Sequence, residues 1–305
     1  MISHQLALLK REIWEHRSIW ITPIAIASIV TLGTLAALMV AGEYAQELDL
    51  ALFGAQNIAS DTGKKTVLSA LFFGSSILFF LALGILTIFY SLDSLYAERK
   101  DKSILFWRSL PVTDAETVIS KLVTAIIVIP AATIVAIIGT HLLNLIVISI
   151  WVSVKGGDAS ILIWGSVSLF DDWSSIIVLT YAAAIWMSPF VGWFLLVSAY
   201  TKRSPFMMGF LPLVIIPMLE GIFAHTNIFA RVVWGRLASI PIHDIGDFEE
   251  MYESGDFELT EQVVSVLAHV DLVRFFSSPA MWAGVVVCGL LCFGAIYVRR
   301  FRDES

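Results

Sequence analysis

The sequence predicts an all-α integral membrane protein, and three observations carry that prediction. Hydrophobic residues make up 58% of the chain against 15% charged, mean hydropathy is +0.83, and apolar runs long enough to cross a bilayer recur from one end to the other. A single water-soluble core has no room for so much apolar surface. In lipid every backbone N–H and C=O must be paired inside the segment, so the spans are helical.

Six runs meet the length requirement: 19–41, 67–92, 121–153, 174–200, 206–224 and 279–298. The first follows a basic start (Lys10, Arg11, Arg17) and resembles a secretory leader at first sight. It exceeds the roughly 7–15 residues of a cleavable apolar region, so it reads as a retained first span. Ahead of it, Leu6, Leu9 and Ile13 recur at helical spacing beside those basic residues, with Trp14 and Trp20 as interfacial anchors. Residues 1–18 therefore read as an interfacial helix bending into the first span, a simple basic anchor being the alternative. Cys288 and Cys292 lie one turn apart in the last run, where neither a disulfide framework nor a metal site is expected.

Six spans place both termini on one side, and Lys/Arg content says which. One set of flanks holds Lys10, Arg11, Arg17, Arg99, Lys100, Lys102, Arg108, Lys121, Lys202, Arg203, Arg299, Arg300 and Arg302. The other holds fewer than half as many: Lys64, Lys65, Lys155, Arg231, Arg236 and Arg274. The richer set is expected in the cytoplasm, with a multi-pass chain in the cell (inner) membrane and both termini cytoplasmic. Acidic residues from Asp244 to Asp271 crowd the opposite side. The net charge of −7 is thus an outer-surface property and argues against a nucleic-acid partner.

Between the second and third spans, a charged stretch gives way to Ile104, Leu105, Phe106 and Trp107 and then to Pro111, a helix breaker. Thr113 and Glu116 have the spacing of a capping box that starts the third helix. A short segment with exposed aromatics, held between two spans, is a surface that fits a partner.

Glu98-Arg99-Lys100, then Ser103-Ile104-Leu105, Ser109-Leu110-Pro111-Val112 and Lys121, resemble the cytoplasmic loop of ABC transporter type-2 permeases. The topology is similar over nearly the whole chain. The resemblance implies a six-span subunit of an ATP-driven exporter, paired with a second copy of itself and with two copies of a separate ABC ATPase subunit. It implies a coupling loop over 93–120 within a single transmembrane domain spanning 1–305. A coupling helix at about 103–110 would meet the ATPase through Glu98, Arg99, Ile104, Leu105, Phe106, Trp107 and Leu110. It further implies that short extracytoplasmic helices within 225–278 cap the exit as a lid or gate, a lipid-resting connector being the alternative. The amphipathic face Val263, Val264, Leu267 and Val270 belongs to that segment.

No catalytic residue and no metal site is expected, nor a cofactor bound by this chain; ATP and Mg would belong to the partner subunit. Thr62-Gly63-Lys64-Lys65-Thr66 imitates a phosphate-binding loop but has Ile58 where the first glycine belongs and Lys65 where Ser or Thr must meet Mg²⁺. Polar residues inside the spans are the path candidates. Glu220 lies near the outer end of a span carrying Pro212 and Pro217, which reads as an interrupted helix lining a path or gate, snorkelling to the headgroups being its alternative. His141 and Asn144, three apart, share a helix face and suit either a helix–helix hydrogen bond or the path. A secondary transporter, an intramembrane enzyme and a noncatalytic membrane scaffold are the competing classes. The first would need an ion site with an internal repeat, and the second a tighter cluster of reactive side chains.

Overall fold

The computed structural model describes residues 2–43, 61–103, 112–165, 167–238, 240–241 and 271–301. Among them the only regular structure is helical. A short helix α1 (Ile2–Glu15) turns at His16 and Arg17 into α2 (Ser18–Glu43). Helix α3 (Asp61–Lys100) is the longest element. Next come α4 (Asp114–Val123) and α5 (Ile129–Val154), joined through a π turn at Thr124–Val128. The remainder is α6 (Leu169–Trp186), α7 (Ser188–Tyr200), α8 (Pro205–Leu219), α9 (Ile228–Ala238), α10 (Leu272–Ser277) and α11 (Pro279–Phe301).

Among the described residues five helices are long and apolar enough to cross a membrane, or six if a bent pair counts as one span. The pair is α6 and α7, which meet at 51° in what the hydropathy presents as one run, 174–200. Pro189 explains the bend. It lacks the N–H that the carbonyl of Ile185 would accept in a continuous helix, so the first helix closes at Met187 and the second starts on Ser188-Pro189.

Other prolines act differently. Pro130 removes the donor for Ile126, and the chain widens just before it, so that the Ile129 N–H reaches back to Thr124 O. Pro212 and Pro217 leave α8 helical through Leu219, and the irregular turn falls after them at Glu220–Ala224. The expected interruption at these prolines is therefore displaced beyond them. Within a helix a proline forfeits one backbone bond without forcing a stop when the surroundings hold the rest of the turn.

Helix α11 packs along α7, α2 along α5, and α3 along α7. Small residues set the first contact: a Cβ on Gly192 would stand 3.1 Å from the Cys288 Cα and carbonyl oxygen. Cys288 and Cys292 are buried in that seam with Val191, Leu195 and Ala199. Without a hydrophobic drive between lipid-embedded helices, such close backbone approach is what supplies the packing. Gly209 does the same for α8, which lies against Leu92 and Phe194 while its carbonyl accepts the Trp193 indole N–H at 2.9 Å.

Helix α1 does not bury the face its apolar spacing singles out. Leu6 is exposed, and Leu8 and Glu12 are the buried positions. A lipid-facing Leu6 costs nothing, whereas Glu12 needs partners, so the carboxylate decides the rotation.

Replacing Gly192 by Val is expected to destabilise the α7–α11 seam by about 1–3 kcal/mol, because Cys288 backbone cannot yield as a flexible side chain would. Thermal unfolding of the detergent-purified protein checks this, with Gly289, which has open space around it, replaced by Ala as the neutral comparison.

Candidate functional site

At one end of the bundle the first helix, the end of α3, the start of α4 and the end of α11 converge on a cluster of buried charges. The capping box builds one corner as its spacing predicts. Thr113 Oγ1 accepts the Glu116 N–H at 3.1 Å, and Glu116 Oε2 accepts the Thr113 N–H at 2.9 Å. That start sets Asp114 at the helix mouth and, two turns on, turns Lys121 inward beside Thr117, Val118 and Ser120.

Glu98 is the centre. Its Oε1 receives Arg11 Nη2 at 2.9 Å and Lys121 Nζ at 3.1 Å, and its Oε2 receives Arg299 Nη1 at 2.7 Å. Lys121 also reaches Glu12 Oε1 at 3.0 Å, while Tyr90 donates its hydroxyl to Glu12 Oε2 at 2.7 Å. Arg299 turns its Nε to Asp114 Oδ1 at 2.8 Å. Glu12, Glu98, Lys121 and Arg299 are all buried.

Each ion taken from water carries a desolvation cost of several kcal/mol, which a single contact does not offset. Here each buried charge has at least two partners, and three cations (Arg11, Lys121, Arg299) face three carboxylates (Glu12, Glu98, Asp114). We call the cluster the clasp. It explains why α3 continues to Lys100 rather than stopping where the apolar run ends at 92, and why the connection to α4 is shorter than the expected 93–120 loop. The polar last turns of α3 are held from three sides.

Arg99, the next residue, is committed elsewhere. Its guanidinium donates to the Ser198 and Thr201 carbonyls at the end of α7. It thereby satisfies two of the orphan acceptors every helix C-terminus leaves. Ser198 returns the contact by accepting the Leu95 and Tyr96 N–H groups. Of the proposed loop-interface residues, Glu98 and Arg99 are thus structural anchors of the loop's near flank. Ile104, Leu105, Phe106, Trp107 and Leu110 lie outside the described residues.

The path candidates fall at separate places. His141 and Asn144 are buried on one face of α5, with His141 Nε2 3.2 Å from Ser75 Oγ and 3.3 Å from Ser76 Oγ. Both serine hydroxyls already give their proton to the Phe72 carbonyl, so the imidazole is the donor in these contacts and α5 is pinned to α3. Glu220 is at the other end of the bundle, accepting from the Thr226 hydroxyl at 2.8 Å and the Ile228 and Phe229 N–H groups at 2.7 and 2.8 Å. It serves as the anionic cap of α9. Pro212 and Pro217 lie within α8, on the way to it.

At that same end α9 is fastened by Arg236. Its guanidinium lies 4.1 Å over the Trp186 ring and donates to the Trp186 and Ala280 carbonyls at 2.8 and 2.9 Å. Only a glycine at 284 leaves room for it, since a Cβ there would collide with the guanidinium. Burial pushes the Arg236 pKa down from its ordinary value. Of the expected 225–278 segment, residues 225–238, 240–241 and 271–278 are described; Val263, Val264, Leu267 and Val270 lie outside the described residues.

The family model for ABC-2 family transporter proteins matches residues 66–233, more than half of the chain. The chain belongs to the ABC-2 transporter family. No curated protein and no solved structure matches it at a significant level. As an ABC-2 permease it is a multi-pass membrane component of a transporter, from a family that generally works with an ABC ATPase partner and is itself usually non-catalytic. The matched stretch contains Glu98, Asp114 and Lys121, while Arg11, Glu12 and Arg299 lie before and after it. In this permease the clasp therefore ties the family core to both flanking segments.

Charge counting along the sequence treated Arg11, Lys121 and Arg299 as topological signals and passed over Glu12. The available hint was positional: Lys121 falls on the same helical face as Val118 and Ala125, where a purely topogenic lysine has no reason to be.

Changing Lys121 to Met leaves Glu12 and Glu98 short of a cation and is expected to cost about 3–5 kcal/mol, part of it recovered when Glu12 is also changed to Gln. Chemical denaturation of the four cycle members measures the coupling. His16, 3.7 Å from Glu12, has its pKa lowered from 6.5, mainly by burial and against the pull of that carboxylate. Its unfolded counterpart takes a proton first as pH falls, so His16 contributes stability above pH about 6.5 that is lost on acidification. Unfolding between pH 7.5 and 5.5 should lose part of its pH dependence in His16→Phe.

Proposed function

We propose that the chain is the membrane subunit of an ATP-driven exporter, two copies of which form a path while two separate ATPase subunits, carrying ATP and Mg, engage the 103–110 segment. The clasp end is the cytoplasmic end, in keeping with the concentration of Lys and Arg there and with the meeting of the N-terminal helix and the end of α11 at one place.

The observation that carries this reading is the clasp on both flanks of the 103–110 segment. Glu98 and Arg99 hold the side that leaves α3, and Asp114 and Lys121 hold the side that enters α4. A push on the segment would reach α1 through Glu12 and Arg11, α7 through Arg99, and α11 through Arg299. Rigid transfer of that kind suits a machine whose energy arrives from a separate subunit. The far end, where Glu220 and Arg236 fasten α9, is then the exit side, and α9 and α10 are its lid.

A secondary transporter would need an ion-coupling site at mid-membrane. His141 is engaged in packing α5 against α3 through Ser75 and Ser76, which favours no such reading.

Replacing Phe106 and Trp107 with Asp is expected to abolish copurification of an ATP-hydrolysing subunit in mild detergent and to leave the thermal unfolding of the permease unchanged. Full retention of that partner and of transport would overturn the coupling role. Glu220→Gln is expected to lower transport more than expression, and transport equal to wild type would leave Glu220 as a helix cap alone.

A further inference from the structure

A partly open cavity of about 570 Å³ lies next to the clasp, walled by the start of α2, the second half of α3 and the start of α8. That volume is in the range of sites for small organic ligands. Helix α3 supplies its long wall from Ala82 to Tyr96, about 21 Å at the helical rise. Polarity changes along that wall. Ile85, Leu86 and Phe89 form the apolar part, with Phe206 of α8 stacked on Phe89, whereas Asp93 and Tyr96 follow on α3 and His16 adds to the polar part.

Asp93 is the unusual member. It is exposed to the cavity mouth and takes no hydrogen bond or ion pair among the described residues. Lys121, which acts on the neighbouring His16, is already divided between Glu12 and Glu98. Burial favours the neutral form of His16. An exposed carboxylate with no ion-pair partner among the described residues, beside an apolar wall that runs from Ala82 to Phe89 and faces Phe206, complements one kind of molecule.

We propose that this cavity takes an amphiphile with a cationic head, seated at Asp93, and an apolar tail laid along Ile85, Phe89 and Phe206. This deepens the transporter reading by naming the class of cargo, and rests on it for that role. The site is also wired to the clasp: the Tyr90 ring lines the cavity while its hydroxyl donates to Glu12. An occupant that shifts Tyr90 therefore presses on the buried charges that flank the ATPase-facing segment. The head can belong to a free amphiphilic amine or to an aminophospholipid, which present the same chemistry.

The test uses the full-length permease in nanodiscs of the neutral lipid digalactosyldiacylglycerol, without any ATPase, titrated with radiolabelled dodecyltrimethylammonium. Saturable binding is expected, weakened about tenfold or more by Asp93→Asn and likewise by Ala82→Trp, which fills the tail wall. Binding of dodecyl sulfate should not respond to Asp93→Asn. Displacement of the probe by added phosphatidylethanolamine assigns the site to a bilayer lipid, and lack of displacement assigns it to a free amphiphile. Equal affinity in wild type and Asp93→Asn overturns the proposal. So does efficient cross-linking of Asp93→Cys to its counterpart in a second copy, which would make this face a subunit contact. Because binding is read without nucleotide or partner, a failed ATPase copurification would sink the exporter reading and leave this result standing.

Discussion

Glu98 and the cations around it are the constraint on which the rest of the architecture depends. In a low-dielectric interior a lone carboxylate is so costly that it must either lose its charge or gather partners. Glu98 gathers three, from α1, α4 and α11. Those helices are far apart in sequence, so the requirement to neutralise one side chain dictates where distant segments lie. The rotation of α1, the inward turn of Lys121 and the length of α3 are consequences of the same demand.

The opposite end of the bundle solves a similar problem with different means. Glu220 is answered by backbone N–H groups and a hydroxyl, and Arg236 by carbonyls and an indole face. Dipoles hold a charge with less penalty for rearrangement than a network of opposed ions, since no buried counter-ion is stranded when they part. The two ends thus hold their buried charges by different means, opposed ions at one and oriented dipoles at the other.

Much of this was legible in the sequence where hydropathy is the governing physics. The spans at 19–41, 206–224 and 279–298 have helical counterparts within a few residues, the span at 67–92 lies inside a longer helix, and Thr113 with Glu116 forms the capping box its spacing announces. The bend at Met187 escaped because Pro189 sits in an unbroken apolar run, where composition gives no sign of a change in direction. The clasp escaped for another reason. A charge near a membrane helix end has two explanations, topology and pairing, and only three-dimensional proximity separates them. Glu98 stands in the loop motif, but its partners Arg11, Lys121 and Arg299 share no local pattern with it. The same holds for Glu220, whose three donors lie six to nine residues downstream, beyond a turn.

Arg299 closes the clasp from the last helix, and this has a bearing on how the protein is made. Synthesis delivers Arg11, Glu12, Glu98, Asp114 and Lys121 long before residue 299 leaves the ribosome. Until then the growing cluster carries three carboxylates against two cations, in a setting that tolerates no surplus. Burial of this corner before α11 arrives would leave one carboxylate without its cation, a cost that water relieves. Seating α11 supplies the missing positive charge and lets the corner dry.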